Sequence, residues 1–233
     1  MPDNSKIFQA VILVGGYGKR LKNKTKKIPK PLVKIRNKTI LENTINFLIS
    51  LGVKHIIINT HYLHNKISSF VKNKKFSCKI DLVFEKNKIL NTGGGVLNAS
   101  KKFKKQVFFV LNPDTLWRKE YKKEFKNLIK IYKKNKKPAL LLIPKSKSFD
   151  KSFKGDFNLN SRKQVLRQKN NKLIFTGAQI LTRSVFKSKK IKPFSMNKVW
   201  DNLIKKKELF GILSKQKFLH INNYKIYRKL IKY

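Results

Sequence analysis

Short apolar runs that alternate with helix-patterned stretches constrain this chain more than any other feature. Residues 9–14 (QAVILV) run straight into Gly15-Gly16, and residues 107–111 (VFFVL) run into Asn112-Pro113-Asp114. Residues 55–59 (HIIIN), 80–84 and 139–143 have the same length and character. Runs this short and this apolar read as buried strands. Between them, residues 39–51 place Ile40, Leu41, Ile45, Leu48 and Ile49 near helical spacing, and Gly52 follows as a C-terminal cap. Residues 61–71 predict a short helix, 95–102 a helix after a triple glycine, and 121–135 an amphipathic helix. Strand–helix alternation with short links predicts an α/β fold, a mostly parallel sheet with helices on both faces. After Pro144 the pattern changes. Residues 145–172 are polar, 173–180 (LIFTGAQI) read as a strand, and 197–207 and 224–231 as helices.

Length and composition fit a single domain. The 233 residues are 40% hydrophobic, enough for a sizeable core. No apolar run approaches the ~18–20 residues that span a bilayer, and residues 1–10 lack the order of a signal peptide. The expectation is a cytoplasmic protein with no membrane partner, either a monomer or a small homo-oligomer. The one cysteine, Cys78, reads as a small apolar filler beside a strand. The net charge of +46 raises the question of a polyanion partner. Lysine supplies nearly all of it, spread along the whole chain, whereas arginine is the residue that forks onto phosphates and bases. Lysine, asparagine and isoleucine together read as a compositional drift of the whole sequence. Salt-sensitive adhesion to nucleic acid follows from the field alone, but no specific nucleic-acid partner is expected.

The loop after the first strand carries the chemistry. Residues 14–32 read VGGYGKRLKNKTKKIPKPL. Its glycines sit at the carboxyl edge of the predicted sheet, where open α/β folds bind ligands. Gly15, Gly16 and Gly18 let backbone N–H groups approach an anion, while Lys19, Arg20 and Lys30 supply cations. Two familiar phosphate motifs fail: a dinucleotide fingerprint needs glycine where Leu21 stands, and a P-loop needs serine or threonine where Arg20 stands.

The complete string resembles the sugar nucleotidyltransferase family. Its loop reads roughly L-x-G-G-x-G-x-R-L-x-P-L-T-x-x-x-P-K-P-L, and here Gly15, Gly16, Gly18, Arg20, Leu21, Thr25, Pro29, Lys30, Pro31 and Leu32 stand in register. Asn23 and Lys24 replace the usual Pro-Leu. The resemblance continues along nearly the whole chain. Asn91-Thr92-Gly93-Gly94-Gly95 matches the segment that approaches the nucleotide base, and Asn112-Pro113-Asp114 matches N-x-D, whose aspartate binds magnesium. Gly155-Asp156-Phe157 and Phe175-Thr176-Gly177 resemble sugar-side segments of one branch, the N-acetylmuramate-1-phosphate uridylyltransferases and mannose-1-phosphate guanylyltransferase-like proteins.

The resemblance implies a Rossmann-like, glycosyltransferase-A-like nucleotidyltransferase fold over residues 1–233. Residues 7–144 would form the nucleotide-binding core and 145–233 a small sugar-binding elaboration and C-terminal part. It implies transfer of a nucleotidyl group from a nucleoside triphosphate to a sugar 1-phosphate, with UTP and N-acetylmuramate 1-phosphate as the branch expectation, in recycling of cell-wall sugar. The alternatives are GTP with mannose 1-phosphate, or phosphocholine as acceptor of a cytidylyl group. A nucleotide-sensing module without catalysis is the reading from another class. Arg20, Lys30 and Asp114 would be catalytic. Val14, Gly15, Gly16, Gly18, Lys19, Gly93, Gly94 and Pro113 would line the nucleotide, and Asn91, Asp156 and Gly177 the sugar. Mg2+ is the implied cofactor, held by Asp114. Many relatives carry a second aspartate in a late W-x-D-x-G-T segment, where this chain has His220 in the aspartate position and Asn222 in that of the glycine. Asp201 and His220 are the candidate second ligands.

Overall fold

Strand and helix alternate along the chain and build one seven-stranded sheet. The computed structural model describes residues 7–233. The first half runs β1 (Gln9–Leu13), α1 (Lys24–Lys27), β2 (Lys34–Ile35), β3 (Lys38–Thr39), α2 (Ile40–Ser50), β4 (His55–Thr60), α3 (His64–Asn73), β5 (Lys79–Phe84), α4 (Asn91–Ser100), β6 (Val107–Leu111) and α5 (Tyr121–Asn135). The second runs β7 (Ala139–Pro144), β8 (Asn158–Leu159), β9 (Val165–Leu166), β10 (Leu173–Thr182), α6 (Asn197–Lys205), β11 (Phe210–Leu213) and α7 (Tyr224–Lys232). The sheet order is β11-β7-β10-β6-β1-β4-β5. Every pairing is parallel except those of β10, which runs antiparallel to β6 on one side and β7 on the other.

Period-two alternation sends each strand's side chains to two cores. Ala10 and Ile12 of β1, with Ile56 and Ile58 of β4, face a cluster completed by Leu41, Ile45 and Leu48 of α2 and Phe125 and Leu128 of α5. Val11 and Ile57 face the opposite side, against Val96 and Leu97 of α4 and Val199, Trp200 and Leu203 of α6. Cys78 packs at the margin of the first cluster, and burial pushes its thiol pKa up. A third cluster joins Leu21 of the glycine loop and Ile40 to Leu219, Ile221, Ile226 and Leu230, tying the start of the sheet to the C-terminal helix.

The chain after Pro144 completes the same sheet. β10 inserts between β6 and β7, so strands from both halves alternate. Its bulge falls between Phe175 and Gln179, where Gly177 has φ +88°, and Gly177 O accepts from Asn112 N at 2.8 Å. A Cβ on Gly177 would lie 2.9 Å from Asn112 Cβ, so the bulge needs glycine there.

Besides the short pieces α1, β2, β3, β8 and β9, which the sequence pattern does not mark, three elements differ from the sequence expectation. The helix expected over 95–102 begins at Asn91, which puts the triple glycine inside it. α3 begins at His64, because Leu63 turns left-handed at φ 51°. β11 carries no strong sequence signal, being four residues (FGIL) within a lysine-rich stretch, and it forms because the β7 edge offers parallel partners from Ala139 to Leu142. Among the described residues, no helix is long and apolar enough to cross a membrane.

Candidate active site

The carboxyl ends of β1, β4, β5 and β6 face a cavity of about 390 Å³. Its lining includes Val14, Gly15, Gly16, Gly18, Lys19, Arg20, Lys30, Asn91, Pro113 and Asp114. The loop of residues 14–32 and the end of β6 therefore meet in one place, as parallel strands of an open sheet require.

The loop has a built geometry. Gly18 is left-handed at φ +67°, and a Cβ there would sit 2.9 Å from Lys30 Cβ. The glycine thus lets the loop fold down onto the lysine. Thr25 Oγ1 donates to Gly18 O at 3.1 Å, and the one proton of Tyr62 Oη is shared between the carbonyls of Thr25 and Lys26, at 3.0 and 2.9 Å. Leu21 is fully buried and anchors the turn. Gly16 is exposed, and a Cβ there would meet no atom within 4 Å, so its backbone faces open space.

An ion pair and a chain of hydrogen bonds set the electrostatics. Lys30 Nζ lies 2.5 Å from Asp114 Oδ2, with the two side chains only 11% and 21% exposed. Burial pushes the Asp114 carboxyl up, but the charges of Lys30 and His220 and the hydrogen bond from Lys30 together outweigh it and bring the pKa to about 2. Arg20 is exposed and donates from Nη1 to Asn222 Oδ1. Asn222 Nδ2 in turn donates to Asp150 Oδ2 at 3.1 Å. Burial raises the Asp150 carboxyl pKa, but hydrogen bonds from Ser152 and Asn222 lower it more.

Some expected site residues lie elsewhere. Gly93 and Gly94 sit in the first turn of α4, with both N–H groups donating to Phe194 O at 2.9 and 3.2 Å. A Cβ on Gly93 would lie 2.4 Å from the Phe194 ring, and one on Gly94 2.4 Å from Lys192 O. These glycines admit the 192–194 segment across the helix start; only Asn91 and Thr92 of that motif reach the cavity. Gly177 does not line it either, but packs against Asn112, which does. The Asp156 carboxylate accepts from Phe175 N at 2.8 Å. Asp201 does not line the cavity: its carboxylate pairs with Arg167, which also stacks 4.8 Å from the Phe157 ring centroid. The other histidines have structural partners. His55 bonds Asp81 at 2.7 Å, His64 bonds Thr60 at 2.7 Å, and His61 bonds Glu85 O at 2.6 Å.

His220 does stand beside Asp114, with Nε2 4.0 Å from Asp114 Oδ2. Phe218 stacks on its ring and Phe153 meets it edge-on. Burial lowers its pKa to about 4, and Lys30 and Arg20 push the same way against Asp114.

Sequence reasoning missed Asn59 and Glu85. Asn59 Oδ1 accepts from Val14 N at 3.0 Å, and its Nδ2 donates to Glu85 Oε1 at 2.7 Å. Glu85 also accepts from Leu90 N at 2.8 Å, so the pair bolts the first loop to the start of α4. The usable signal was like the one that marked Asp114, an acid at a strand end in a chain with only 11 acidic residues.

The nucleotidyl transferase family profile matches residues 9–153, well over half of the chain. The chain belongs to that family. It is 32% identical over 184 residues to D-glycero-alpha-D-manno-heptose 1-phosphate guanylyltransferase of Campylobacter jejuni, covering 77% of this chain and 78% of that protein. It is 27% identical over 227 residues to the protein of the same description from Aneurinibacillus thermoaerophilus, covering 95% and 96%. Among solved structures it is similar to HddC from Yersinia pseudotuberculosis, at 26% identity and TM-score 0.77, over 97% of this chain and 99% of that one. The protein is a sugar-1-phosphate nucleotidyltransferase.

Nucleotidyl transferases of this family generally use a divalent metal. The residues present fit one. Asp114 offers a half-buried carboxylate at the cavity wall beside the glycine loop, and His220 stands next to it. Among the described residues there is no group of three or more His, Cys, Asp or Glu side chains that would hold an ion alone. A bound ion would draw its remaining ligands from substrate phosphate oxygens and water.

Proposed function

We propose that the protein transfers a guanylyl group from GTP to a manno-configured sugar 1-phosphate, forming a GDP-sugar and pyrophosphate. The observation that carries this reading is that the two relatives above, each matched over more than three quarters of both chains, are described as heptose 1-phosphate guanylyltransferases, and a third matched over 88% of this chain as a mannose-1-phosphate guanylyltransferase. The expectation of UTP with N-acetylmuramate 1-phosphate gives way to its own alternative, and with it the place in cell-wall recycling.

The chemistry is a displacement at phosphorus. A sugar-phosphate oxygen attacks the α-phosphorus, the α–β bridging bond breaks, and pyrophosphate leaves with the electron pair. The attacking oxygen is already anionic at neutral pH, so no general base is needed. Catalysis then rests on positioning and charge neutralisation. Backbone N–H groups of Gly15 and Gly16 and the Lys19 and Arg20 side chains hold the β- and γ-phosphates, and Arg20 follows them as they leave. Lys30 sits deeper and neutralises charge on the α-phosphate oxygens. Asp114 would hold the divalent ion, expected to be Mg2+, which when bound screens the phosphates from the incoming anion. Asn91 and Thr92 border the same cavity from α4. Thr92 Oγ1 accepts from Met196 N at 2.9 Å, which connects the cavity to the 194–201 segment and makes residues 145–233 the proposed source of the sugar pocket.

A panel of the four nucleoside triphosphates against mannose 1-phosphate, D-glycero-α-D-manno-heptose 1-phosphate, N-acetylmuramate 1-phosphate and phosphocholine, scored by pyrophosphate release, tests this. GTP with a manno-configured acceptor should lead. Leadership by UTP with N-acetylmuramate 1-phosphate would restore the other reading, and nucleotide binding without release for any acceptor would favour a sensor.

A further inference from the structure

Arg20 belongs to two cavities. Besides the active site, it lines a hollow of about 460 Å³ between the 19–22 turn and the start of α7. The hollow also takes in Lys22, Lys225, Arg228 and Lys229, and no acidic residue lines it. Among the described residues, none of these four cations forms an ion pair. Arg20 is the one residue that the two cavities share.

This arrangement works against the helix that carries it. Lys225, Arg228 and Lys229 fall at i, i+3 and i+4 of α7, where like charges destabilise. Lys225 stands in the first turn, where the helix dipole disfavours a cation. Ile226, Tyr227 and Leu230 are buried against Leu21 and Ile221, so the helix cannot rotate its charges away from the hollow. The lysine drift of the whole chain does not account for the cluster either. Only seven of the 57 basic residues are arginine, and two of those seven, Arg20 and Arg228, meet here. Arginine is the residue whose fork matches phosphate oxygens. The helix adds backbone donors. Asn223 Oδ1 accepts from Ile226 N at 3.0 Å, which leaves the first-turn N–H groups of Tyr224 and Lys225, two residues of the lining, for an anion.

We propose that the hollow is a second pyrophosphate site, which receives the leaving group from Arg20 and holds it on its way out. A concavity of one sign concentrates counter-ions, and an anion with several charges and two phosphate groups can span several of these cations at once. The hollow begins at the guanidinium that grips the departing phosphates, so the leaving group passes from one set of cations to the next. The inference rests on the proposed transfer for its source of pyrophosphate, but the site itself is read by binding.

Calorimetric titration of the full-length protein with inorganic pyrophosphate, at physiological ionic strength and with Mg2+ present, tests the site. The wild type should bind one more equivalent than Lys225→Gln/Arg228→Gln. Lys122→Gln/Lys123→Gln removes the same charge from the exposed face of α5 and should keep that equivalent. Orthophosphate should titrate alike in all three. During transfer, pyrophosphate release, timed against nucleotide-sugar formation by quenched flow, should slow by about threefold or more in Lys225→Gln/Arg228→Gln, the effect of removing electrostatic guidance. The same stoichiometry in that variant as in the wild type would overturn the proposal. Equal loss in the α5 control would do so too, by assigning the binding to the diffuse field of the chain. An extra equivalent of orthophosphate in the wild type would overturn the assignment to pyrophosphate, and unchanged release would overturn the part in its departure. Absence of transfer with every substrate would instead count against the guanylyltransferase reading and leave the titration standing.

Discussion

Arg20 donates to the side-chain oxygen of Asn222, 202 residues later in the chain. Asp150 holds the other end of the same amide. The family pattern has glycine where Asn222 stands, so in this chain a side chain steers the guanidinium that is proposed to grip pyrophosphate. Asn222→Ala should lower kcat/KM for the triphosphate by roughly tenfold, the scale of one hydrogen bond to a charged group. The KM for the sugar phosphate should hold. Steady-state kinetics with each substrate varied in turn reads both, and an unchanged triphosphate kcat/KM would remove the positioning role.

Lys30 and Asp114 are proposed to act on the phosphates. Lys30→Ala and Asp114→Ala should each lower turnover by about two orders of magnitude or more, as loss of a preorganised charge does. Circular dichroism should show the fold retained. Near-full activity in either folded variant would remove the core of the mechanism.

His220 gives the protein a pH-dependent stability. Its pKa is about 4 when folded, against 6.5 when exposed. Above pH 6.5 both states leave the ring neutral, and there is no effect. Between about 6.5 and 4 the unfolded chain takes up a proton that the folded one refuses, so stability falls as pH falls. The full shift corresponds to about 3 kcal/mol. Urea unfolding in the presence of a chelator, compared between wild type and His220→Gln across that window, should show a shallower fall in the variant. Parallel curves would mean that the ring is not held neutral.

The glycines divide into two kinds with opposite prospects. Gly94→Ala places a methyl 2.4 Å from a backbone carbonyl oxygen and should destabilise by roughly 1–3 kcal/mol, the cost of overpacking. Gly16→Ala meets nothing within 4 Å and should stay within about 0.5 kcal/mol of wild type. Thermal melts of the two variants test this directly, and equal shifts would show that the crossing of α4 by residue 192 is not tight.

Most of the architecture and the first loop were legible in the amino-acid sequence because their causes are local. Apolar runs of strand length, a helical stripe ending at Gly52, and glycines with Arg20 and Lys30 after the first strand each act over a few residues. An acid two residues past the end of VFFVL pointed to Asp114 for the same reason, and Glu85, directly after β5, carries a similar mark. What tertiary structure alone decided is which distant groups meet. Gly93 and Gly94 look like a nucleotide turn in sequence, yet their N–H groups answer to Phe194, a hundred residues on. β11 exists because β7 has a free edge, not because FGIL demands a strand. Asp201 is an acid in the expected region that Arg167 claims first. His220 could be counted in sequence only as a missing carboxylate. Its Nδ1 meets the hydroxyl of a threonine 105 residues away, whose single proton is already committed to Thr176 O. Hydrogen bonds and ion pairs are exclusive, and which partner wins is set by the folded geometry rather than by residue type.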